Sequence, residues 1–291
     1  MKIKLVDQIR VNASLGECIL WDSVTQDLWW TDIESKILYC RNFTGGKLKS
    51  FTMPERLCAF AFVQNKDFLL CAFETGFAIF SPKTKKTQWL KKVRKKDCGI
   101  RLNDGRVDPL GRFWVGEMVE KPNPVDPIPA RLFCLEFDGT ISVHDSGMGI
   151  SNGLSWTVCG RNMFFADSEK NEIYIYDKNH ETSFYQNKRL FAKTPSGIHP
   201  DGSCIDEEGF LWNAQWGSGK VIRYTRDGDV DFVLSIPCLQ PTCVTFGGEN
   251  LNYLIVSSAN LEQSKSGRDD GDVFIYETPY TGVLENRFFS G

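Results

Sequence analysis

Leu28-Trp29-Trp30-Thr31-Asp32, a short connection, then Ile37-Leu38-Tyr39-Cys40 is the stretch that decides the fold. It reads as two strands joined by a turn. Large apolar and aromatic residues suit a pleated, half-buried surface, and side chains along a strand alternate between its faces. The same pair returns five more times: Phe68-Leu69-Leu70-Cys71 with Phe77-Ala78-Ile79-Phe80, and Phe113-Trp114-Val115-Gly116 with Leu132-Phe133-Cys134-Leu135. Then come Met163-Phe164-Phe165-Ala166-Asp167 with Ile173-Tyr174-Ile175-Tyr176, and Leu211-Trp212-Asn213-Ala214 with Val221-Ile222-Arg223-Tyr224. The last copy is Tyr253-Leu254-Ile255-Val256 with Val273-Phe274-Ile275-Tyr276. Successive copies start roughly 40 to 50 residues apart, the period of a propeller blade.

A small antiparallel sheet cannot bury both of its faces alone, so such units stack around an axis. The expected fold is therefore all-β: a six-bladed β-propeller of four-stranded antiparallel blades around a central channel, with residues 1–291 forming one domain. Six in-phase copies favour this over a sandwich or barrel. Asp138-Gly139, Asp227-Gly228 and the run from Asn42 to Gly46 follow second runs and supply hairpin turns. No long segment has a 3.6-residue apolar period, so little helix is expected. The residues from Ile3 to Ile9 precede the first copy without a partner there. They are expected to complete the last blade and close the ring.

The chain of 291 residues is 42% hydrophobic, 13% aromatic and 24% charged, with a formal net charge of −3. This balance argues against nucleic-acid and anionic-membrane binding. The one basic run, Lys91, Lys92, Arg94, Lys95 and Lys96, reads as a solvated loop between strands. No secretory signal or membrane-spanning run is visible. Ten cysteines show no C-x-x-C pair. Cys40, Cys71, Cys134 and Cys204 lie in apolar runs and read as small buried hydrophobes. Reduced thiols and a cytoplasmic protein, monomeric or weakly dimeric, are expected.

About ten residues before each copy lies another short apolar segment, the expected inner strand. One phase of these segments gives Glu17, Cys58, Asn103, Asn152, Asp201 and Thr242. One mouth of the channel would thus collect Glu17, Asn103, Asn152 and Asp201. Two carboxylates and two amides suit one hard divalent cation, Ca²⁺, Mg²⁺ or Mn²⁺, with Zn²⁺ also compatible. Asn and Asp before Gly also form turns, but four in one phase of a sixfold repeat point to a site. Arg101, two residues before Asn103, shares its strand face.

The segments Ser14 to Asp22, Arg101 to Gly116, Ile150 to Trp156 and Pro200 to Trp212 resemble the SMP-30/gluconolactonase/luciferin-regenerating family. Asn103-Asp104-Gly105-Arg106-Val107-Asp108-Pro109, Ser151-Asn152-Gly153-Leu154 and Pro200-Asp201-Gly202 are its most specific strings. The resemblance implies metal ligands at Glu17, Asn152 and Asp201, a further Asn near the metal at Asn103, and a substrate-contacting Arg101. It also implies hydrolysis of aldono-lactones to sugar acids. The chain departs from the family pattern at Glu117-Met118 and at Glu120-Lys121, which fall where a substrate rim is expected. Lys121 with Arg101 would suit a lactone carrying an extra carboxylate or phosphate.

On this reading a metal would act as Lewis acid, Asp201 as general base with Glu17 as the alternative, and Arg101 and Asn103 would orient the sugar. Glu120 and Lys121 complete the substrate-binding set, and the partner is a small sugar lactone. His199 would sit near the rim; His144 and His180 read as strand or turn residues. No G-x-S-x-G elbow or phosphate-binding loop appears. Phosphotriesterase-like hydrolysis and a non-catalytic calcium-binding regulatory propeller are the competing functions.

Overall fold

A computed structural model of the chain describes residues 2–122, 128–261 and 269–289. Each strand pair read above forms the second and third strands of a four-stranded antiparallel sheet. Blade 1 runs outward through Gly16–Asp22, Asp27–Asp32, Ile37–Asn42 and Lys49–Thr52. The inner strands of blades 2 to 6 are Leu57–Phe62, Ile100–Val107, Ser151–Trp156, His199–Ile205 and Pro241–Gly247. Nearly every inner-strand residue is buried, whereas outer strands such as Lys86–Lys92 are largely exposed. Consecutive inner strands lie side by side, and the first meets the last. The fold is a six-bladed β-propeller.

The closure is as expected. Lys4–Ile9 pairs antiparallel with Val273–Glu277 and becomes the outer strand of blade 6. Asp272 secures the join by accepting the Val11 and Asn12 amides, both at 3.0 Å, and Gln8 Nε2 at 2.8 Å. The chain after blade 6 crosses the far end of the ring. Gly282 bridges to Asp206, Glu285 pairs with Arg106 at 2.8 Å, and Phe288 bridges to Val63. Helix among the described residues is a single 3₁₀ turn, Ser168–Lys170. No helix among them is long and apolar enough to cross a membrane.

The basic run differs from its sequence reading. Lys91 and Lys92 belong to the outer strand Lys86–Lys92, and Lys92 Nζ pairs with Glu55 at 2.6 Å. Arg94 is bound to Glu117. Lysines on a free outer strand discourage pairing with other chains, so strand and charge run coincide here. The four cysteines placed in apolar runs are buried.

A repeated carboxylate fixes the turn between inner and second strands. Asp108 accepts the Leu110 and Arg112 amides at 2.9 and 3.0 Å, Arg112 Nε at 2.7 Å and Trp114 Nε1 at 2.9 Å. Asp206, in the same position of blade 5, accepts Phe210 N, Trp212 Nε1 and Arg223 Nε. Each buries an indole while satisfying its N–H. Replacing Asp108 with Ala strands the buried Arg112 and Trp114 donors. The expected cost is about 3 to 5 kcal/mol, read from urea unfolding; a loss below about 1 kcal/mol, typical of an exposed pair, would contradict this account.

Candidate active site

The site lies where all six inner strands break register. Pairing with the second strand stops after Glu17, Leu57, Leu102, Asn152, Pro200 and Pro241, and resumes at Leu20, Ala59, Gly105, Ser155, Ser203 and Val244. In every blade the inner strand holds one residue more than its partner across the gap. These are β-bulges, which re-aim side chains beside functional sites. All six residues of the phase read from the sequence lie at the bulges. Cys18, next to Glu17, takes φ +48° and Gly153, next to Asn152, φ +65°. A Cβ on Gly153 would come within 3.0 Å of the Asp201 carbonyl, so glycine lets blades 4 and 5 approach.

The polar side chains are buried and connected. Arg101 Nη1 donates to Asn103 Oδ1 at 2.6 Å and to the Leu102 carbonyl at 3.0 Å. Asn103 Nδ2 donates to Asn152 Oδ1 and to the Ser151 carbonyl, both at 2.9 Å. Asn152 Nδ2 donates to Ser168 Oγ at 2.9 Å. Glu17 Oε2 accepts the Cys18 amide at 3.0 Å. Asp201 Oδ1 is buried without a hydrogen-bond partner. Such an orphaned acceptor is costly unless something else satisfies it.

Electrostatics point the same way. Burial and then Asp104 push the Glu17 carboxyl up to about 8, against lesser opposition from the Cys18 amide and Arg101. Burial, Glu17 and Asp104 raise Asp201 well above the usual carboxylate range. Asp104 is raised by burial and opposed by Arg106 and by backbone amides including that of Leu154. Like charges crowded in a desolvated mouth favour protonation or a cation. Among the described residues no group of three or more His, Cys, Asp and Glu is set as a metal cage. The donors instead mix carboxylates with amides. Burial lifts the Cys58 thiol to about 12, so it offers no thiolate at neutral pH. The orphaned oxygen, the crowded carboxylates and the oxygen-rich set fit a hard divalent cation.

The remaining predicted residues divide. Glu120 accepts Arg101 Nε at 3.0 Å and is gripped by Arg56 at 2.7 and 2.9 Å. Lys121 is exposed on the lining of a cavity of about 370 Å³ that Arg56, Glu74 and Glu120 also line. Glu117 is not a rim residue. It is fully buried, both oxygens bound by Arg94 at 2.6 Å, and it also pairs with Arg131 at 3.3 Å. Arg94 arrives from the connection after blade 2, a partner invisible to local sequence reading. His199 is half-buried with Nδ1 at 2.8 Å from the Ser168 carbonyl. His144 lies in an outer strand against Trp114, and His180 is exposed in a turn. The sequence reading left Asp104 without a role. Its signal was its place in the bulge directly after Asn103, masked by the turn-like string Asn103-Asp104-Gly105.

The chain is similar to L-arabinolactonase of Azospirillum brasilense, 33% identical over 280 residues that cover 94% of this chain and 92% of that protein. It is 30% identical to 6-deoxy-6-sulfogluconolactonase of Pseudomonas putida over 286 residues, covering 96% and 97%. A solved luciferin-regenerating enzyme superposes with a TM-score of 0.88 at 26% identity, covering 97% of this chain and 99% of the other. The family model described as SMP-30/Gluconolactonase/LRE-like region matches residues 15–260. With that match spanning all the bulges and the whole ring of donors, the chain belongs to the SMP-30/gluconolactonase/LRE-like family.

Proposed function

We propose that the protein hydrolyses sugar lactones to sugar acids, using a divalent cation held by Glu17, Asn152 and Asp201. The observation that carries the reading is the unpartnered Asp201 oxygen in a buried ring of oxygen donors. The relatives named as lactonases give the reaction class. A cation bound there supplies a Lewis acid for the lactone carbonyl. Asp201, with an oxygen free of hydrogen bonds, accepts the proton of the attacking water. Glu17 is the alternative base. Arg101 and Asn103 hold the sugar hydroxyls, and their mutual hydrogen bond fixes both before substrate arrives. Glu120 pairs with both Arg101 and Arg56, and Glu34 and Glu74 also pair with Arg56, so three carboxylates face two guanidiniums. That balance favours a neutral polyhydroxy lactone over one carrying an additional anionic group.

The test is acid release, followed with a pH indicator, from metal-stripped protein offered a panel of aldono-lactones. Ca²⁺, Mg²⁺, Mn²⁺ and Zn²⁺ are returned singly. Turnover should depend on the returned metal and fall at least about 100-fold in Asp201→Ala and in Asn152→Ala. Folded protein that releases no acid with any metal or lactone overturns the proposal.

Protons and the cation compete for the same carboxylates. In cation-free protein the raised carboxyls bind more protons than in the unfolded chain, where they titrate near about 4. Stability of that form therefore falls as pH rises from about 4 toward about 8, the value reached by Glu17. Cation affinity should rise across the same window, with protons released on binding. Calorimetric titration in two buffers of different ionisation enthalpy reads both effects. Affinity independent of pH would contradict the assigned ligands.

A further inference from the structure

The hydrogen bonds at the channel mouth run in one direction. Arg101 donates to Asn103, Asn103 to Asn152, Asn152 to Ser168, and Ser168 Oγ to the Pro200 carbonyl at 2.7 Å. The order is set at both ends. A guanidinium only donates and a backbone carbonyl only accepts. Ser168 has one hydroxyl proton and commits it to Pro200, so toward Asn152 it only accepts. Asn152 must therefore turn its nitrogen to Ser168, and its oxygen faces Asn103 and the channel. One lone pair of that oxygen takes the Asn103 N–H and the other remains for a ligand.

Comparison of blades 1 and 4 isolates the purpose. Their registers match: Gly16 faces Asp32 and Glu17 faces Thr31, as Ser151 faces Asp167 and Asn152 faces Ala166. The residue after the strand-ending aspartate is Ile33 in one blade and Ser168 in the other. Each sends its amide to the equivalent carbonyl, Leu15 at 2.9 Å and Ile150 at 3.0 Å. Both are buried. In blade 4 the hydroxyl stands beside an amide, which has a right and a wrong end. A carboxylate such as Glu17 has none, and its blade carries a hydrocarbon instead. We infer that Ser168 is a positioning residue that fixes the Asn152 amide with its oxygen toward the cation. Through Pro200 it also ties that amide to the residue preceding Asp201. The inference rests on the reading of Asn152 as a ligand.

The test is calorimetric titration of metal-stripped, full-length protein with Mn²⁺ and with Ca²⁺, alongside thermal unfolding without cation. Ser168→Ala should weaken binding about 10- to 100-fold, and Ser168→Thr should restore most of it. In an Asn152→Asp background the Ser168→Ala change should cost less than about threefold, because a carboxylate has no orientation to lose. Equal losses in both backgrounds, or unchanged affinity in Ser168→Ala, would overturn the inference. If Ser168→Ala loses its cooperative transition, Ser168→Cys, of similar size but a weak acceptor, replaces it in the same comparison. If the unaltered protein binds neither cation, the metal reading falls first and this inference with it. If it binds and Asn152→Ala is without effect, the reading of Asn152 as a ligand fails and this inference with it; if Asn152→Ala weakens binding and Ser168→Ala does not, the inference alone fails.

Discussion

A sheet whose inner strands stayed in register would point alternate side chains into its neighbours and never gather six of them at one mouth. The bulge common to all blades is the constraint on which the site depends. One extra residue per inner strand releases two positions from the ladder in five blades and one, Cys58, in blade 2. Asn103, Asp104 and Asp201 occupy released positions, and Glu17 and Asn152 are the last paired residues before theirs; the five side chains meet only because neighbouring blades contribute them. No single blade holds more than two of these groups.

Gathering them is unfavourable by itself. Burial raises the proton affinity of three carboxyls in the mouth, Asp104 adds to that of Glu17, both add to that of Asp201, and one Asp201 oxygen has no partner. Hydrophobic packing elsewhere tolerates this. Phe60, Phe73, Phe77, Trp114 and Trp212 are fully buried between sheets, each removing large apolar area from water. The division is spatial: the stacked sheet faces stabilise, and the channel end stores unmet polarity that a ligand relieves.

Much of this was legible before the structure. The blade count, the strand pairs and the closing strand follow from a repeated apolar pattern, which is a local property. The phase of polar residues followed from the same period, so Glu17, Asn103, Asn152 and Asp201 fell together. What escaped depends on contacts between blades. Glu117 looked like a rim residue because its neighbours in sequence are at the rim. Its counter-charges come from Arg94 in the preceding connection and Arg131 on the adjacent strand. Asp104 looked like half of a turn, since a bulge leaves no mark in hydrophobic periodicity. Ser168 is legible only by aligning one blade on another and asking why a hydroxyl replaces a hydrocarbon.

The seam in blade 6 has a consequence in time. Lys4 lies opposite Glu277 and Ile9 opposite Val273. The strand Lys4–Ile9 is made about 265 residues before Val273–Glu277 and must wait for it before it has a partner. At about 5 to 20 residues per second, that wait lasts on the order of tens of seconds. Until then blade 6 has an open edge and the ring has a gap beside Glu17 of blade 1. Blades 2 to 5 can stack as they emerge, each from consecutive strands, but the mouth cannot take its final shape before the seam closes. The complete ring of donors therefore forms late and all at once, when Lys4–Ile9 finds Val273–Glu277.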